Sequence, residues 1–345
     1  MMQPVFVTGG AGYIGSHICK ALRRQSYLPV TLDNLSQGHA ALVRWGPLEQ
    51  GDVRDTAWLR DMLRRYAPGA VIHCAGLISV SESTSNPALY YSHNVGGTLS
   101  LLDAMVAEGT KPLIFSSSCA VHGQPETVPV REDAPCRPLS PYGRSKWIAE
   151  QAIADYAAAY GISYANLRYF NAAGADPDGE TGEMHQPETH AVPLAVEAAI
   201  RNTPFMLFGT DYPTPDGTAM RDYVHVSDLA TAHVMTVQYL QSGGASCTLN
   251  IGSGQGTSVR QLIDAVAGIA GRKLTVQEKA RRPGDPAMLV ADPALARATL
   301  GFSPAISDIR SIAKTAWQWY AALDGHALPE GARAHEMHRS HYTAT

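Results

Sequence analysis

The chain has 345 residues, of which 45% are hydrophobic and only 17% are charged. This composition excludes a disordered protein, and the length suits one large or two ordinary domains. The net charge is −4, and the sequence contains neither a basic run nor an apolar segment of about 18 residues, which argues against nucleic acid and against a membrane as partners. Only six of the 27 basic residues are lysines.

The cysteines and the two ends of the chain indicate a cytoplasmic protein. Five scattered cysteines without a C-x-x-C pair favour free thiols in a reducing compartment over disulfides or a zinc site. The first apolar run begins at Val5, without the basic start of a secretory signal. Residues 331–345 are expected to form a flexible tail, and we expect no metal to bind its histidines, which are His335, His338 and His341.

In chain order, short apolar runs alternate with amphipathic stretches over the first half of the sequence. This alternation predicts an α/β fold with a Rossmann-type doubly wound parallel sheet, in which right-handed crossovers cover both faces. We assign this nucleotide-binding type of domain to residues 1–171. The predicted strands are 4–8, 29–33, 70–75, 112–118 and 163–170, and the predicted helices are 13–25, 55–66, 86–108 and 141–160.

The pattern changes after Asn171, where residues 174–188 are rich in Gly, Pro and Asp. Loops of this length are usually functional or disordered. The segments that follow alternate irregularly and predict a smaller C-terminal α/β substrate-binding lobe over residues 172–330. We expect the chain to return to the main sheet near 225–253.

A glycine-rich turn joins the first strand to the first helix. Its three spaced glycines allow a tight turn, a close approach of backbone to a pyrophosphate, and helix N–H groups facing the anion. They are Gly9, Gly12 and Gly15. Asp33 ends the second strand, where an acid can bond the ribose hydroxyls of the cofactor. An acid at this place also repels a 2′-phosphate, which favours NAD over NADP. The alternative is that Asp33 is a plain turn residue at the strand end. Asp52 and Val53 are placed to meet the adenine or to lie in a helix N-cap region.

A second group of residues suits proton transfer. The fifth strand ends in three serines, 116–118, and Tyr142 and Lys146 follow at i and i+4 on one helix face. Ser140 fits the N-cap of that helix and Pro141 fits its first position.

The chemistry of this group depends on the phenol. A phenol titrates near about 10, too high for a base at neutral pH, but a neighbouring ammonium and a cationic nicotinamide ring lower its pKa. Tyr142 is therefore a candidate base for a substrate hydroxyl from which hydride also departs. Ser118 is the preferred hydrogen-bond donor to the same oxygen, with Ser117 as the alternative.

With these motifs in place, the chain resembles the extended short-chain dehydrogenase/reductase family, and within it the UDP-glucose 4-epimerases, from Val7 to about Trp319. The most specific strings lie in the second lobe. The strings that carry the resemblance are TGGAGYIGSH (8–17), LDNLSQGH (32–39), NVGGT (94–98), FSSS (115–118), SPYGRSK (140–146), LRYFNAAGA (167–175), FGTDYPTPDGTAMRDYVHVSDLA (208–230) and RRPGD (281–285).

This resemblance implies a tightly bound NAD and inversion of C4 of a UDP-hexose through a 4-keto sugar. It implies Tyr142 as the base, with Ser118 and Lys146 beside it. The implied cofactor-binding residues are Gly9, Gly12, Tyr13, Ile14, Gly15, Asp33, Asn34, Asp52, Val53, Ala75, Asn94, Ser116, Tyr142, Lys146 and Tyr169. The implied substrate-binding residues are Ser118, Tyr142, Asn171, His190, Phe208, Arg221, Tyr223, Arg282 and Asp285. For Arg221 a structural pair with Asp222 or Asp228 is the alternative, and for Arg282 a surface charge.

Four departures from the usual family pattern leave the sugar open. They are Ala120 for a threonine, Ile78 for a lysine, Thr189-His190 for paired asparagines, and Leu289 near the sugar pocket. UDP-xylose/UDP-arabinose, or both sugar pairs, are therefore alternatives to UDP-glucose/UDP-galactose. Residues 118–121 lack the acid pair that 4,6-dehydration needs, which argues against a dehydratase. Two remote alternatives are a dehydrogenase that releases NADH and a non-catalytic NAD-binding scaffold.

The resemblance also implies a partner, a second copy of the chain. Family members usually pair two long helices from each subunit in a four-helix bundle, here the predicted helices 86–108 and 141–160. Apolar residues lie on both helices, but their spacing does not separate a dimer face from a core face.

Overall fold

A computed structural model of the protein describes residues 2–282 and 285–325. The predicted tail, 331–345, and its three histidines lie outside the described residues. Within those that are described, no helix combines the length and the apolarity needed to cross a bilayer.

The larger layer is a seven-stranded, fully parallel sheet, which confirms the predicted fold class. Its strand order is β10-β6-β5-β4-β1-β2-β3. The strands are β1 Pro4–Thr8, β2 Leu28–Asp33, β3 Leu48–Gln50, β4 Ala70–His73, β5 Pro112–Ser118, β6 Ser163–Tyr169 and β10 Cys247–Ile251. The sequence did not predict β3, because it is only three residues long and mostly polar.

Helices cover both faces of this sheet and bury a separate apolar cluster on each. One face packs Ile18 and Leu22 against Leu229 and Val237. The other contains Leu59, Leu101, Met105 and Ile153 among its members. The helices are α1 Tyr13–Arg24, α2 Thr56–Tyr66, α3 Val80–Ser85, α4 Pro87–Tyr90, α5 Gly97–Glu108, α6 Pro141–Tyr160 and α8 Val226–Gln241.

The predicted helix 86–108 is helical almost throughout, but it is not uniform. Between α4 and α5, the six residues Tyr91–Gly96 form a π-helical stretch. Such wide turns occur mainly where a helix borders a functional site, and this one contains Asn94.

The remaining elements form the second lobe. A four-stranded sheet pairs β9 with β7, β11 and β13, and a separate parallel pair joins β8 to β12. A third apolar cluster, which includes Val196, Leu262, Ile312 and Trp319, fills this lobe. The elements are β7 Asn171–Ala173, α7 Ala191–Arg201, β8 Phe205–Phe208, β9 Met220–His225, β11 Gly256–Ser258, α9 Val259–Ala270, β12 Val276–Lys279, β13 Met288–Leu289, α10 Ala294–Leu300 and α11 Ile309–Gly325.

The chain crosses between the two layers more than once. β7 begins two residues after β6 ends, yet it pairs with β9 in the second sheet. After β9, helix α8 packs with α1, and β10 then pairs in parallel with β6. The carboxyl ends of the parallel strands therefore face the second lobe, which is where α/β folds bind their ligands.

Candidate active site

A cavity of about 1220 Å³ lies between the carboxyl edge of the parallel sheet and the second lobe. It gathers residues from both, and of the predicted site residues Asn94 alone does not line it. The lining ones are Gly9, Gly12, Tyr13, Ile14, Gly15, Asp33, Asn34, Asp52, Val53, Ala75, Ser116, Ser118, Tyr142, Lys146, Tyr169, Asn171, His190, Phe208, Arg221, Tyr223, Arg282 and Asp285.

The glycine turn packs too tightly for side chains and leaves a helix N-terminus open to the cavity. Gly9 has φ +70°, and a Cβ there would lie 2.7 Å from the backbone nitrogen of Ala75. A Cβ on Gly15 would collide with the carbonyl oxygen of Gly9. Gly12 is the N-cap of α1, and neither a capping side chain nor an acidic residue satisfies the first turn. The free N–H groups and the helix dipole fit the pyrophosphate of a dinucleotide.

Asp33 supports this turn as well as lining the cavity. Its Oδ2 accepts a hydrogen bond from the Ala11 N–H at 3.0 Å, and its Oδ1 accepts one from the Leu35 N–H at 2.8 Å. Burial raises the pKa of Asp33, while these hydrogen bonds act in the opposite direction. The acid thus fixes the turn from which the pyrophosphate would be bound.

Asp52 lies across the same end of the cavity with its carboxylate already paired. Arg54 binds it at 2.9 and 2.7 Å, and Asn34 donates to it at 3.1 Å. Hydrogen bonds from Arg54 hold the pKa of this carboxyl well below its usual range. The N-cap of α2 is Asp55, whose Oδ1 accepts from the Trp58 N–H at 3.0 Å. The capping alternative for Asp52 is therefore excluded.

Helix α6 begins as predicted and carries the Tyr/Lys pair into the cavity. Ser140 Oγ accepts from the Gly143 N–H at 3.1 Å, and Pro141 occupies the first turn. Lys146 is 4% exposed, and its Nζ donates to the Ser116 carbonyl oxygen at 2.9 Å. Burial lowers the pKa of Lys146 to about 8.

Tyr142 is half-buried, and its phenol is less acidic than expected. Burial of the hydroxyl raises the pKa of Tyr142 to about 12, and the hydrogen bond with Ser118 only partly offsets this. That expectation combines the ammonium of Lys146 with a cationic nicotinamide ring, and in the chain alone burial outweighs whatever the ammonium contributes. An ionised phenol requires further positive charge in the cavity.

The serine alternatives are separated by the faces of β5, because successive side chains of a strand point to opposite sides. Ser117 Oγ donates to Glu150 Oε1 at 2.5 Å inside the core. Glu150 in turn holds Arg168 in a buried ion pair of 2.7 Å. The Ser118 hydroxyl faces Tyr142 and accepts from the Ala120 N–H at 3.2 Å. Ser117 is thus committed to the core, and Ser118 is the serine available to a substrate.

Asn94, which the resemblance implies as a cofactor-binding residue, is buried behind the cavity wall. Its Oδ1 accepts from the Leu77 N–H at 2.8 Å and its Nδ2 donates to the Leu77 carbonyl at 3.0 Å. The same Nδ2 donates to Ser145 Oγ at 3.0 Å. Asn94 therefore fixes the loop after β4, which lines the cavity, to α6.

Tyr169 has a partner that the sequence analysis missed. Its hydroxyl is hydrogen-bonded to Ser116 Oγ at 2.7 Å and to Nε2 of the fully buried His233. His233 donates its other ring N–H to the Leu229 carbonyl at 2.9 Å. No local signal marks this pair, because β6 and α8 meet only through tertiary packing.

The arginines of the second lobe lie at the other end of the cavity. Arg221 donates to the Met220 and Pro286 carbonyl oxygens, both at 2.9 Å, and its nearest acid is Asp285 at 3.8 Å. The guanidinium of Arg282 lies 4.1 Å from the ring centre of Phe208. Uncharged carbonyls and an aromatic ring thus hold the two guanidinium groups, so their positive charge is available to bind an anion.

The alternative partners of Arg221 are engaged elsewhere. Asp222 accepts from Ser253, Gly254 and Ala291, and Asp228 accepts from Ile306 and Ser307.

Two further residues at this end are built for a ligand. Asn171 Oδ1 is buried and has no hydrogen-bond partner among the residues that the structure describes. Burial raises the pKa of Tyr223 to about 12, so its hydroxyl stays protonated. An unpaired buried acceptor is costly unless a ligand satisfies it.

The segment from Glu183 to His190 completes the wall, and Glu183 and His185 in it were not predicted. His190 Nδ1–H donates to Glu188 Oε1 at 2.8 Å. Burial alone would lower the pKa of His190, but the hydrogen bond to Glu188 and the charges of Glu183 and Glu188 together outweigh it and raise the pKa. His185 is hydrogen-bonded to Glu183 in the same way. Because the imidazoles and carboxylates bond one another, we assign no metal to this segment.

Comparison with known proteins identifies the family. Residues 5–252 match the NAD dependent epimerase/dehydratase family. The chain belongs to this family. It is 50% identical over 318 residues to a UDP-glucose 4-epimerase of Rhizobium meliloti, covering 92% of this chain and 97% of that one. The predicted family resemblance is therefore confirmed.

Two solved structures are similar over nearly the whole chain. UDP-glucose 4-epimerase from Brucella ovis in complex with NAD is 51% identical, with a TM-score of 0.90, covering 92% of this chain and 98% of that one. UDP-glucose-4-epimerase from Stenotrophomonas maltophila, with bound NAD and formylated UDP-arabinopyranose, is 38% identical, with a TM-score of 0.91, covering 94% and 99%.

The buried ammonium makes a testable difference to stability. In the cofactor-free protein, Lys146→Met is expected to raise the free energy of unfolding at pH 7 by about 1–3 kcal/mol, because a lowered pKa means that burial opposes the charged form. Between the folded pKa of about 8 and the ordinary value of 10.5, the unfolded chain binds more protons than the folded one. The unmutated protein therefore gains stability as the pH rises through this range, and the difference in stability between it and Lys146→Met shrinks. Urea unfolding at pH 7 and pH 10 measures this.

The exposed Lys111→Met is the control and should show a pH-independent difference. A Lys146→Met protein that is less stable at pH 7, or equally different at both pH values, contradicts the burial effect.

Proposed function

We propose that the chain is an NAD-dependent UDP-glucose 4-epimerase, which interconverts UDP-glucose and UDP-galactose. One observation carries this proposal: Tyr142, Ser118 and Lys146 meet in a cavity between an open helix N-terminus and two arginines. Relatives over nearly the full chain that are named UDP-glucose 4-epimerase support the same activity.

The larger sheet carries the cofactor. The glycine turn receives the pyrophosphate, Asp33 the ribose hydroxyls of the adenosine half, and Asp52 with Val53 the adenine. Lys146 and Tyr142 reach the other ribose, while Asn94 acts through Leu77. Bound there, NAD would supply reversible hydride transfer at C4 of the sugar, with a 4-keto sugar between the two transfers, and positive charge while oxidised.

Proton transfer at the sugar is the task of Tyr142. In the chain alone, burial raises the pKa of the Tyr142 phenol to about 12. Positive charge in the filled cavity is therefore needed for the phenol to act as a base. Ser118 hydrogen-bonds the same sugar oxygen and the phenol. The ammonium of Lys146, fixed by the Ser116 carbonyl, favours the phenolate. The proton returns to O4 as the 4-keto sugar is reduced, which restores the phenolate of Tyr142.

The second lobe binds the UDP half. Arg221 and Arg282 receive the diphosphate, because guanidinium groups offer paired hydrogen bonds to phosphate oxygens. Phe208 and Tyr223 hold the uracil and ribose with Asp285, and Asn171 supplies its unpaired amide oxygen. His190, whose imidazole is hydrogen-bonded to Glu188, is assigned to the phosphate end of the substrate. We therefore assign cofactor binding to residues 1–171 with 225–253, and UDP-sugar binding to the rest of 172–330.

The sugar itself has a second candidate. Ala120, Ile78 and Leu289, which depart from the usual family pattern, all line the cavity. A similar structure holds formylated UDP-arabinopyranose. A pentose differs from a hexose only by the C6 hydroxymethyl, and apolar pockets discriminate such groups weakly. UDP-xylose/UDP-arabinose epimerisation is therefore the alternative.

Tyr142→Phe tests the chemistry. The variant is expected to fold, to keep protein-bound NAD and to lose at least about 100-fold in kcat, because general acid–base catalysis contributes on that scale. The measurement is product formation from UDP-galactose without added cofactor. Tyr160→Phe, an exposed tyrosine on the same helix, is the control and should leave kcat unchanged. Substantial turnover by Tyr142→Phe would remove Tyr142 from this role.

A substrate comparison tests the sugar. We expect kcat/KM for UDP-galactose to exceed that for UDP-xylose by about 10- to 200-fold, which is what one small group in an apolar pocket provides. Both are measured on the purified protein with its own NAD. A preference for UDP-xylose establishes the pentose alternative instead.

The chain is further proposed to be a cytoplasmic homodimer. Helices α5 and α6 pack side by side, and each exposes a large apolar residue, Leu99 on α5 and Ile148 on α6. An adjacent helix pair with apolar side chains exposed is suited to a four-helix bundle with a second copy.

Charge placed on this helix pair tests the dimer. Leu99→Glu with Ile148→Glu is expected to convert a dimer into a monomer in light-scattering measurements, because like charges would meet across a desolvated interface. Leu295→Glu, an equally exposed leucine on α10, should remain dimeric. An unmutated chain that is already monomeric refutes the proposal.

A further inference from the structure

Lys20, on α1, is the centre of a cluster that the reaction does not use. Its side chain is 6% exposed, and its Nζ lies 2.6 Å from Asp176 Oδ2, 2.7 Å from Asp178 Oδ2 and 2.6 Å from Glu180 Oε2. Burial alone would lower the pKa of Lys20, but the three carboxylates outweigh it and raise the pKa. The ammonium therefore stays charged inside a cage of three acids.

The cage is one short loop folded around the ammonium. The Glu180 N–H donates to Asp176 Oδ2 at 3.0 Å, and the Gly179 N–H donates to the Asp176 carbonyl at 2.9 Å. Acids on alternate residues also supply ligands in loops that bind Ca²⁺ at about 2.3–2.6 Å. Here the ammonium takes the cation's place, because three like charges this close repel one another without it.

The same face of α1 holds the loop at two more points. Tyr13 OH donates to the Gly174 carbonyl at 2.6 Å, and Ser16 Oγ is hydrogen-bonded to Thr181 Oγ1 at 2.6 Å. Positions 13, 16 and 20 follow the helical spacing of a single face. The loop 174–181 is thus fixed along the helix whose first turn faces the pyrophosphate end of the cavity.

Directly after this loop, the chain enters the segment 183–190 that forms part of the cavity wall. We propose that Lys20 is a positioning residue for UDP-sugar binding: its ammonium closes the Asp176/Asp178/Glu180 cage and so fixes the wall segment that carries His190. Lys20 itself does not line the cavity, so it touches neither substrate nor reacting atoms. The inference rests on the proposed function, because that function defines the ligand.

Lys20→Met tests this role. Removing the ammonium leaves the buried carboxylate of Asp176 without a cation, beside the half-exposed carboxylates of Asp178 and Glu180, which destabilises the loop. We expect KM for UDP-galactose to rise at least about tenfold, with kcat within about twofold and bound NAD retained, since a loose wall weakens binding without moving Tyr142. The matched control is Arg24→Met, which removes an exposed cation from the same Asp178 and should leave KM unchanged.

Cation rescue separates positioning from a general loss of structure. In Lys20→Ala, which leaves room for an ion, millimolar Ca²⁺ is expected to bring KM back to within about threefold of the unmutated value and to have no effect on the unmutated chain. Unchanged KM in Lys20→Met, or equal losses of kcat, NAD and thermal stability without rescue, overturns the proposal.

Two further measurements keep the outcome decisive. If Lys20→Met does not fold, Glu180→Gln, which removes one half-exposed partner, should give a smaller rise in KM of the same kind, and no rise overturns the proposal. UDP affinity, measured by calorimetry on the NAD-bound protein, needs no turnover. If the unmutated chain does not epimerise UDP-galactose, the proposed function is refuted. If Lys20→Met nevertheless lowers the affinity for UDP, the positioning role of Lys20 stands.

Discussion

The site depends on one buried ammonium at the carboxyl edge of a parallel sheet. Lys146 joins α6 to β5 through the Ser116 carbonyl, and the same helix brings Tyr142 to the cavity. Burial opposes charge on both groups, lowering the pKa of the lysine and raising that of the phenol. In the chain alone the phenol of Tyr142 therefore stays protonated at neutral pH, and added positive charge in the cavity would favour its ionisation.

The two kinds of cation have different structural tasks in this protein. Lys20 and Lys146 are compact ammonium groups, the first held by three carboxylates and the second by one backbone carbonyl. Arg221 and Arg282 are planar, and carbonyls or a ring hold them at the wall so that their remaining edges suit phosphate. A planar guanidinium is not interchangeable with a compact ammonium at the two lysine sites.

The sequence predicts what depends on local spacing and misses what depends on distant packing. Helical and strand periods located nearly every element of the large sheet, and the Tyr142/Lys146 pair lies within one helix. The choice of Ser118 over Ser117 needed the buried Glu150, and the His233 partner of Tyr169 needed the packing of α8. Burial, which raises the pKa of Tyr142 in the chain alone, could not be predicted from the motif either.

The interleaving of the two layers has a consequence for fragments of the chain. A fragment that ends at Asn171 lacks β10, so β6 presents an unpaired strand edge. It also lacks α8, so the apolar face of α1, including Ile18 and Leu22, is left bare. Exposed edges and apolar faces of this kind template aggregation. The seven-stranded sheet and its helices can therefore be completed only after the ribosome has synthesised the chain through Ile251.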